Sequence, residues 1–207
     1  MRVTLVQQTS NPIEFIAKIA SICYDSDPKN PLGLVKHLYR NGHHSVFEHV
    51  YFTFKIEEIS RACSHQLVRH RMCSFTQRSQ RYCDENGFSV VLPDSVDNIP
   101  GFYTYTQTVL ALQEAYENLT ECGVPKEDAR YLLPNACSTE LYMSFNLREL
   151  IHMANERLCL RAQWEIREVV EQMTMLVDPE LKFMLKPKCQ SGYLICNNPC
   201  GKLEDDK

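Results

Sequence analysis

The segment at residues 59–83 concentrates arginine. It contains five arginines and no lysine, aspartate or glutamate, so it carries +5, while the rest of a chain of net charge −4 carries −9. Guanidinium groups at this density repel one another. An anion relieves the repulsion, because the planar guanidinium fork bonds phosphate and carboxylate oxygens in pairs. The five residues are Arg61, Arg69, Arg71, Arg78 and Arg81. The segment predicts a binding site for a phosphorylated ligand.

Hydrogen-bonding side chains are interleaved with these arginines, namely Ser74, Thr76, Gln77, Ser79 and Gln80. This mixture favours a small anion with polar edges, since nonspecific polyanion surfaces use lysine freely. Composition alone leaves two alternatives open. One is a solvated basic face, and the other is a surface that binds nucleic acid without sequence preference.

Other chemical motifs are absent or weak. The seven glycines are dispersed and form no nucleotide-binding loop, and no H-E-x-x-H or G-x-S-x-G motif occurs. Most of the ten cysteines lie in apolar or mixed segments typical of reduced core thiols. Cys189, Cys196 and Cys200 lie close together near the end but include no C-x-x-C pair. We interpret them as exposed or loosely packed thiols, with a metal site or functional disulfide as the alternative, and we predict no metal.

Hydrophobic periodicity predicts the elements that position these residues. Strands are predicted at 47–56 and 139–146. Helices are predicted at 12–23, 32–40, 101–121, 125–133, 146–158 and 162–177. A further helix follows the first strand, with Ile59, Ala62, Cys63 and Val68 on one stripe, and the basic segment continues from it into a loop. Asn146 and Glu149 have the spacing of a capping box, in which each side chain bonds the other residue's backbone N–H.

The elements predict an α+β fold with a mixed, mainly antiparallel sheet packed with long helices. A chain of 207 residues fits one domain, so we expect a single domain over 1–207 with a cysteine-containing tail from about residue 186. No apolar run approaches the roughly 18 residues of a membrane span. The start of the chain lacks the pattern of a secretory signal, and we therefore expect a cytoplasmic protein.

One signature is specific. Arg69, His70 and Arg71 are followed by seven residues and then Ser79, which gives R-H-R-x7-S. With this signature the sequence resembles the flavin-dependent thymidylate synthases, also called the thymidylate synthase complementing protein family. The resemblance continues through GHHSVFEHVYFTF at 42–54, R-x-x-L-P at 130–134, N-L-R at 146–148 and LRAQWEI at 160–166. It covers most of the chain.

The resemblance implies the flavin-dependent thymidylate synthase fold and a homotetramer with active sites shared between subunits. It implies methylation of deoxyuridine monophosphate (dUMP) at C5. Methylenetetrahydrofolate gives the carbon, reduced FAD gives the hydride, and NAD(P)H supplies the electrons. The acidic remainder of the chain argues against a nucleic-acid partner.

The resemblance also implies roles for individual residues. Arg157 matches the residue that polarises the uracil. The positions that match nucleotide contacts are Gln66, Arg69, Gln77, Arg78, Ser79, Arg81 and Arg130. The positions that match flavin contacts are Ser45, Glu48, Arg69, His70, Arg71, Gln77, Asn146, Arg148 and His152. Two departures stand out: His152 replaces a common Asn, and Gln77 replaces the Glu of some members. No cysteine nucleophile is assigned, and we interpret Cys73 as a packing residue.

Overall fold

A four-stranded antiparallel sheet forms the centre of the computed structural model, which describes residues 1–97 and 99–198. The strands are β1 (Arg2–Gln8), β2 (Tyr51–Ser60), β3 (Ser74–Gln77) and β4 (Ser138–Asn146), and their order across the sheet is β1-β2-β4-β3. The two long strands β2 and β4 are therefore central. The first two strands are joined through helices, and the arginine segment leads from β2 to the edge strand β3.

Eight helices accompany the sheet in the described residues: α1 (Pro12–Ser21), α2 (Pro31–Arg40), α3 (Arg61–Leu67), α4 (Asp94–Asp97), α5 (Phe102–Glu121), α6 (Lys126–Ala129), α7 (Leu147–Arg157) and α8 (Trp164–Leu176). Short 3-10 turns lie at Ile22–Tyr24, His44–His49, Arg130–Leu132, Pro179–Leu181 and Lys188–Gln190. Within the part of the chain that the structure describes, no helix has both the length and the apolar character needed to cross a membrane.

The hydrophobic core lies on one face of the sheet. Phe52, Phe54 and Ile56 of β2 are fully buried, as their alternation predicted, and residues of β4, α7 and α8 join the same buried cluster. Phe54 stacks on Phe145 of β4 with ring centroids 5.7 Å apart. Each such side chain contributes about 1.5–3 kcal/mol when it leaves water. This burial fixes the two central strands, from which the site residues extend.

The predicted bounds of β2 were wrong at both ends. Residues 44–49 form a 3-10 turn, and the strand continues to Ser60 instead of ending at residue 56. Glu58 has φ 59°, and the pairing with β4 shifts between Ile56 and Ile59. Because this bulge places Ile59 and Ser60 both in the interior, the alternation that marks a strand is lost there.

The predicted stripe of the following helix was also wrong. Helix α3 begins at Arg61, and its buried side is formed by Cys63, Ser64 and Leu67, whereas Ala62 and Val68 are exposed. The prediction included Ile59 in the helix, although Ile59 belongs to the strand, and this shifted the predicted helical phase by one residue. A helix of seven residues is too short for periodicity to reveal the error.

Two strands were not predicted. β1 lies at one edge of the sheet, where Val3 is buried but Val6 is exposed, so its alternation is weak. β3 was predicted as a loop; it has four residues and pairs with β4 from Ser74 opposite Ser144 to Gln77 opposite Leu141. Its polar sequence carries no strand signal because only one of its faces is partly buried.

A buried carboxylate fixes the junction between β2 and α3. Glu165 of α8 is 2% exposed, and its carboxylate accepts hydrogen bonds from the backbone N–H and the hydroxyl of Ser60, both at 2.6 Å. The Ser60 oxygen in turn accepts from the N–H of Cys63 at 2.9 Å, which caps α3. Helix α8 therefore fixes the start of the arginine segment.

Replacing Glu165 by Ala leaves the Ser60 N–H and hydroxyl without their acceptor. We expect the free energy of unfolding to fall by about 1–3 kcal/mol for each group left unsatisfied. The measurement is urea denaturation at a fixed protein concentration. Glu114→Ala, on the exposed side of α5, is the control and should change stability by less than about 0.5 kcal/mol. Equal effects of the two substitutions would contradict this role for Glu165.

Candidate active site

Predicted flavin residues from three elements meet at the start of α7. They line a cavity of about 320 Å³ formed by Glu48, Met72, Asn146, Arg148, Glu149 and His152. Asn146 leaves β4 with an extended backbone, and its side-chain oxygen accepts from the N–H of Glu149 at 3.0 Å, which caps the helix. Arg148 forms an ion pair with Glu48 across the cavity. The predicted residues Glu48, Asn146, Arg148 and His152 are therefore brought together.

The capping box that we predicted at Asn146 forms only by half. The Asn146 side chain caps the helix, but the carboxylate of Glu149 accepts from Nδ1 of His70 at 2.9 Å. Both side chains of this contact are buried, with 5% of His70 and 7% of Glu149 exposed. Glu149 is thus a component of the site that the sequence interpretation had placed in a local cap.

His70 contacts both the predicted flavin residue His152 and Arg157, the residue predicted to polarise the uracil. Its Nε2 lies 3.1 Å from Nε of Arg157, and its ring lies 5.7 Å from the ring of His152 at an angle of 67°. Since a guanidinium only donates hydrogen bonds, Nε2 must be the acceptor. The ring proton is then on Nδ1, where it is donated to Glu149, and the imidazole is neutral.

His70, Glu149 and His152 also place three potential metal-ligand atoms within 4.8 Å of one another. The described hydrogen bonds work against a metal there. Nδ1 of His70 carries the proton given to Glu149, and moving that proton to Nε2 would oppose two N–H donors, those of His70 and Arg157. The arrangement favours a hydrogen-bond chain.

Four other predicted flavin residues, Ser45, Arg69, Arg71 and Gln77, are not among the residues that line this cavity. Ser45 is exposed on the 3-10 turn that also carries Glu48. Arg69 and Arg71 are exposed in the turn after α3, and within the described ranges neither forms an ion pair. Gln77 lines a different cavity beside Arg78.

Most predicted nucleotide residues form a second group around β3 and α6. Nε of Arg78 donates to Glu85 at 3.1 Å, and Nε of Arg81 donates to Glu127 at 2.9 Å. These hydrogen bonds raise the pKa of both guanidinium groups. Arg130 donates to the backbone carbonyl of Glu127 at 3.0 Å, and the Ser79 hydroxyl oxygen accepts from the N–H of Arg81 at 3.3 Å.

Carboxylates from outside the basic segment therefore neutralise part of its charge. This corrects the premise that an external anion alone relieves the repulsion: Arg78 and Arg81 have internal partners, whereas Arg69 and Arg71 are exposed. The predicted nucleotide residue Gln66 has a different partner from these arginines: its side-chain amide donates a hydrogen bond to Gln163 at 3.3 Å. Gln163 also caps α8 by accepting from the N–H of Glu165 and of Ile166, at 3.1 Å each.

Three residues that support the site were not predicted from the sequence to take part in it. Gln163 and Glu165 lie within the quoted LRAQWEI stretch, so a signal was present, but periodicity shows only that they begin a helix. Their contacts with Gln66 and Ser60 span about a hundred positions of the chain and require the fold. Glu149 is the third.

Two of the three tail cysteines share a cavity with Arg157. Cys189 and Cys196 line a cavity of about 280 Å³ together with Cys159 and Arg157. The sequence interpretation had grouped Cys159 with the core thiols. Cys200 falls outside the described residues.

The family model described as thymidylate synthase complementing protein matches residues 4–181. The chain belongs to this family. The match confirms the recognition made from R-H-R-x7-S. Two curated relatives, both named flavin-dependent thymidylate synthase, are each 42% identical to the chain. The one from Geobacter sulfurreducens aligns over 208 residues, with 93% of this chain and 90% of the relative covered. The one from Pyrococcus furiosus aligns over 216 residues, with 93% and 88% covered.

Two solved structures have the same fold as this chain. The Helicobacter pylori thymidylate synthase X, crystallised with FAD and dUMP, superposes with a TM-score of 0.76 at 22% identity, over 89% of this chain and 97% of that chain. The UMP/dUMP methylase PolB from Streptomyces cacaoi, bound with 5-Br dUMP, gives 0.78 at 25% identity, over 88% and 93%. The predicted α+β fold is confirmed.

Cys73, inside the signature, should behave as an inert thiol. Burial, followed by the charge of Glu149, raises its pKa to about 12, so the reactive thiolate is scarce between pH 7 and 9. We expect iodoacetamide to label Cys73 far more slowly in the folded protein than the exposed Cys122, as measured by peptide mass spectrometry. Labelling of both thiols at similar rates at pH 8 would contradict this assignment.

Proposed function

We propose that this protein is a flavin-dependent thymidylate synthase, an FAD-dependent methyltransferase that converts dUMP to dTMP by reductive methylation at C5. Methylenetetrahydrofolate is the carbon donor, and NAD(P)H is the reductant. The observation that carries the proposal is the family match over residues 4–181, which contains the whole R-H-R-x7-S signature. We place the enzyme in the cytoplasm, with no nucleic-acid or membrane partner.

The donor set at the start of α7 fits the cofactor. Arg148 and the amide of Asn146 line the cavity, and the exposed Arg69 and Arg71 carry further positive charge. Such groups suit a diphosphate and the polar edge of a flavin. The residues proposed to hold FAD are Ser45, Glu48, Arg69, His70, Arg71, Gln77, Asn146, Arg148 and His152. When bound, reduced FAD supplies the hydride of the reaction.

Arg157 is the proposed catalytic residue. Its Nε donates to His70, and among the described residues this is the hydrogen bond that its guanidinium makes. The terminal nitrogens are therefore available to a ligand. Beside the uracil they would stabilise negative charge on N3 and the neighbouring carbonyl, which makes C5 more electron-rich and ready to attack the one-carbon unit.

The nucleotide site draws on both groups of residues. Gln66, Arg69 and Arg157 lie on or near α3 and α7, whereas Gln77, Arg78, Ser79, Arg81 and Arg130 belong to the group around β3 and α6. Within one chain, the side chains of the two groups form hydrogen bonds with different partner residues. A homotetramer in which one protomer presents Arg157 and its neighbour presents the second group completes a site with charge on both sides of the phosphate and base.

The direct test of function is a turnover assay with dUMP, methylenetetrahydrofolate and NADPH, with and without added FAD. We expect a yellow protein whose flavin absorbance bleaches on addition of NADPH, a bleaching rate that changes with dUMP, and formation of dTMP. Protein that takes up no FAD and forms no dTMP would refute the proposal. Salt-sensitive retention on DNA that persists in excess dUMP would favour the nucleic-acid alternative.

Replacing Arg157 by Ala should lower kcat/KM for dUMP by about 100-fold or more, because the charge that develops on the uracil loses its donor. Bound FAD per protomer should stay close to that of the wild type. Arg161→Ala, an exposed arginine four residues further along the chain, is the matched control and should retain activity. Parallel loss of FAD and activity in Arg157→Ala would mean that the residue is structural.

A further inference from the structure

We propose that Glu149 is a positioning residue for Arg157 and acts on it through His70. The inference rests on the proposed function and adds a residue to its site. Neither the R-H-R-x7-S signature nor the set of predicted contacts includes Glu149. The three groups form one line of contacts, from the Glu149 carboxylate to Nδ1 of His70 at 2.9 Å and from Nε2 to Nε of Arg157 at 3.1 Å.

The line of contacts has only one consistent arrangement of protons. Nε of Arg157 always carries a hydrogen, so Nε2 of His70 must offer a lone pair. The imidazole then keeps its proton on Nδ1, and a buried N–H in this position needs an acceptor. Glu149 is that acceptor. Without it, the proton would move to the other ring nitrogen or the ring would turn, and in either case Arg157 would lose its partner.

Helix α7 favours the charges at both ends of this line. Glu149 lies in its first turn, where the positive end of the helix dipole stabilises a carboxylate, and Arg157 is its last residue, where the negative end stabilises a cation. The two residues are separated by a rise of about 12 Å along the helix. His70, on the turn after α3, therefore bridges two groups of the same helix that do not hydrogen-bond each other directly.

The consequence for Arg157 is directional. A guanidinium is planar and rigid, so an acceptor on Nε limits the directions in which the two terminal nitrogens can point. Glu149 thus determines where those nitrogens point without touching the nucleotide itself. An error of about 1 Å in the position of such a group costs on the order of 100-fold in rate.

The test compares two substitutions of Glu149. Glu149→Gln keeps an oxygen that can accept from Nδ1 and should stay within about 5-fold of wild-type kcat/KM for dUMP, since a neutral acceptor is weaker than a charged one. Glu149→Leu keeps the volume but offers no acceptor and should lose about 10-fold to 100-fold. Glu156→Gln, an exposed carboxylate on the same helix, controls for charge and should match the wild type.

A double-mutant cycle separates positioning from a structural role. If Glu149 acts through Arg157, then Glu149→Leu weakens dUMP binding in the wild-type background but causes no further loss in the Arg157→Ala background. Binding is measured by titration calorimetry on both FAD-free and FAD-loaded protein, so the result does not depend on turnover. If Glu149→Leu yields too little folded protein, Glu149→Asp replaces it in the cycle, because its shorter side chain withdraws the acceptor from Nδ1.

The inference is overturned if the effects of Glu149→Leu and Arg157→Ala on dUMP binding are additive. It is also overturned if Glu149→Gln lowers kcat/KM as much as Glu149→Leu does. These outcomes are distinct from failure of the proposed function. A wild-type protein that binds no FAD and forms no dTMP refutes the function itself. If the wild-type enzyme forms dTMP but the effects of Glu149→Leu and Arg157→Ala are additive, only the positioning role is refuted.

Discussion

A single proton on Nδ1 of His70 constrains the whole candidate site. The buried imidazole can accept from Arg157 only while it is neutral and its proton is held by Glu149. Each contact satisfies a polar group that would otherwise be buried without a partner, which is costly in a low-dielectric interior. The hydrogen bond between Arg157 and His70 connects the proposed flavin and nucleotide sites. His70 is a predicted flavin residue, and Arg157 is predicted to contact the nucleotide. In the proposed site, the position of the flavin and the position of the nucleotide would therefore depend on the same imidazole.

The scaffold holds this line of contacts from two sides. The central strands β2 and β4 are fixed by their packed aromatic face, and β4 leads through Asn146 directly into α7. On the other side, α8 secures the β2–α3 junction through Glu165, and α3 leads into the turn that carries His70. The site therefore lies where two strand–helix junctions come together. Rigid elements of this kind position side chains more precisely than free loops do.

Local patterns predicted the parts of the fold that depend on local order. The alternation of Phe52, Phe54 and Ile56 and the cap at Asn146 were read correctly from the sequence. The bulge at Glu58 and the short edge strand β3 were not, because both are set by pairing with β4 and leave little trace in periodicity. The family was recognised from a spacing of seven residues in the signature, and this spacing reflects chemistry more than hydrophobicity. The alternative partner of Glu149 could not be predicted, because a capping box and a buried contact with His70 require the same residue at the same position.

The central claim is that Arg157, held by a neutral His70, points its free nitrogens at the nucleotide. A crystal structure of the protein with FAD and dUMP tests this most directly. The account predicts that both hydrogen bonds of His70 persist, with a terminal nitrogen of Arg157 about 3 Å from an oxygen or nitrogen of the uracil. A bound uracil without a contact from Arg157, or an Arg157 that has left His70 to make one, would contradict it.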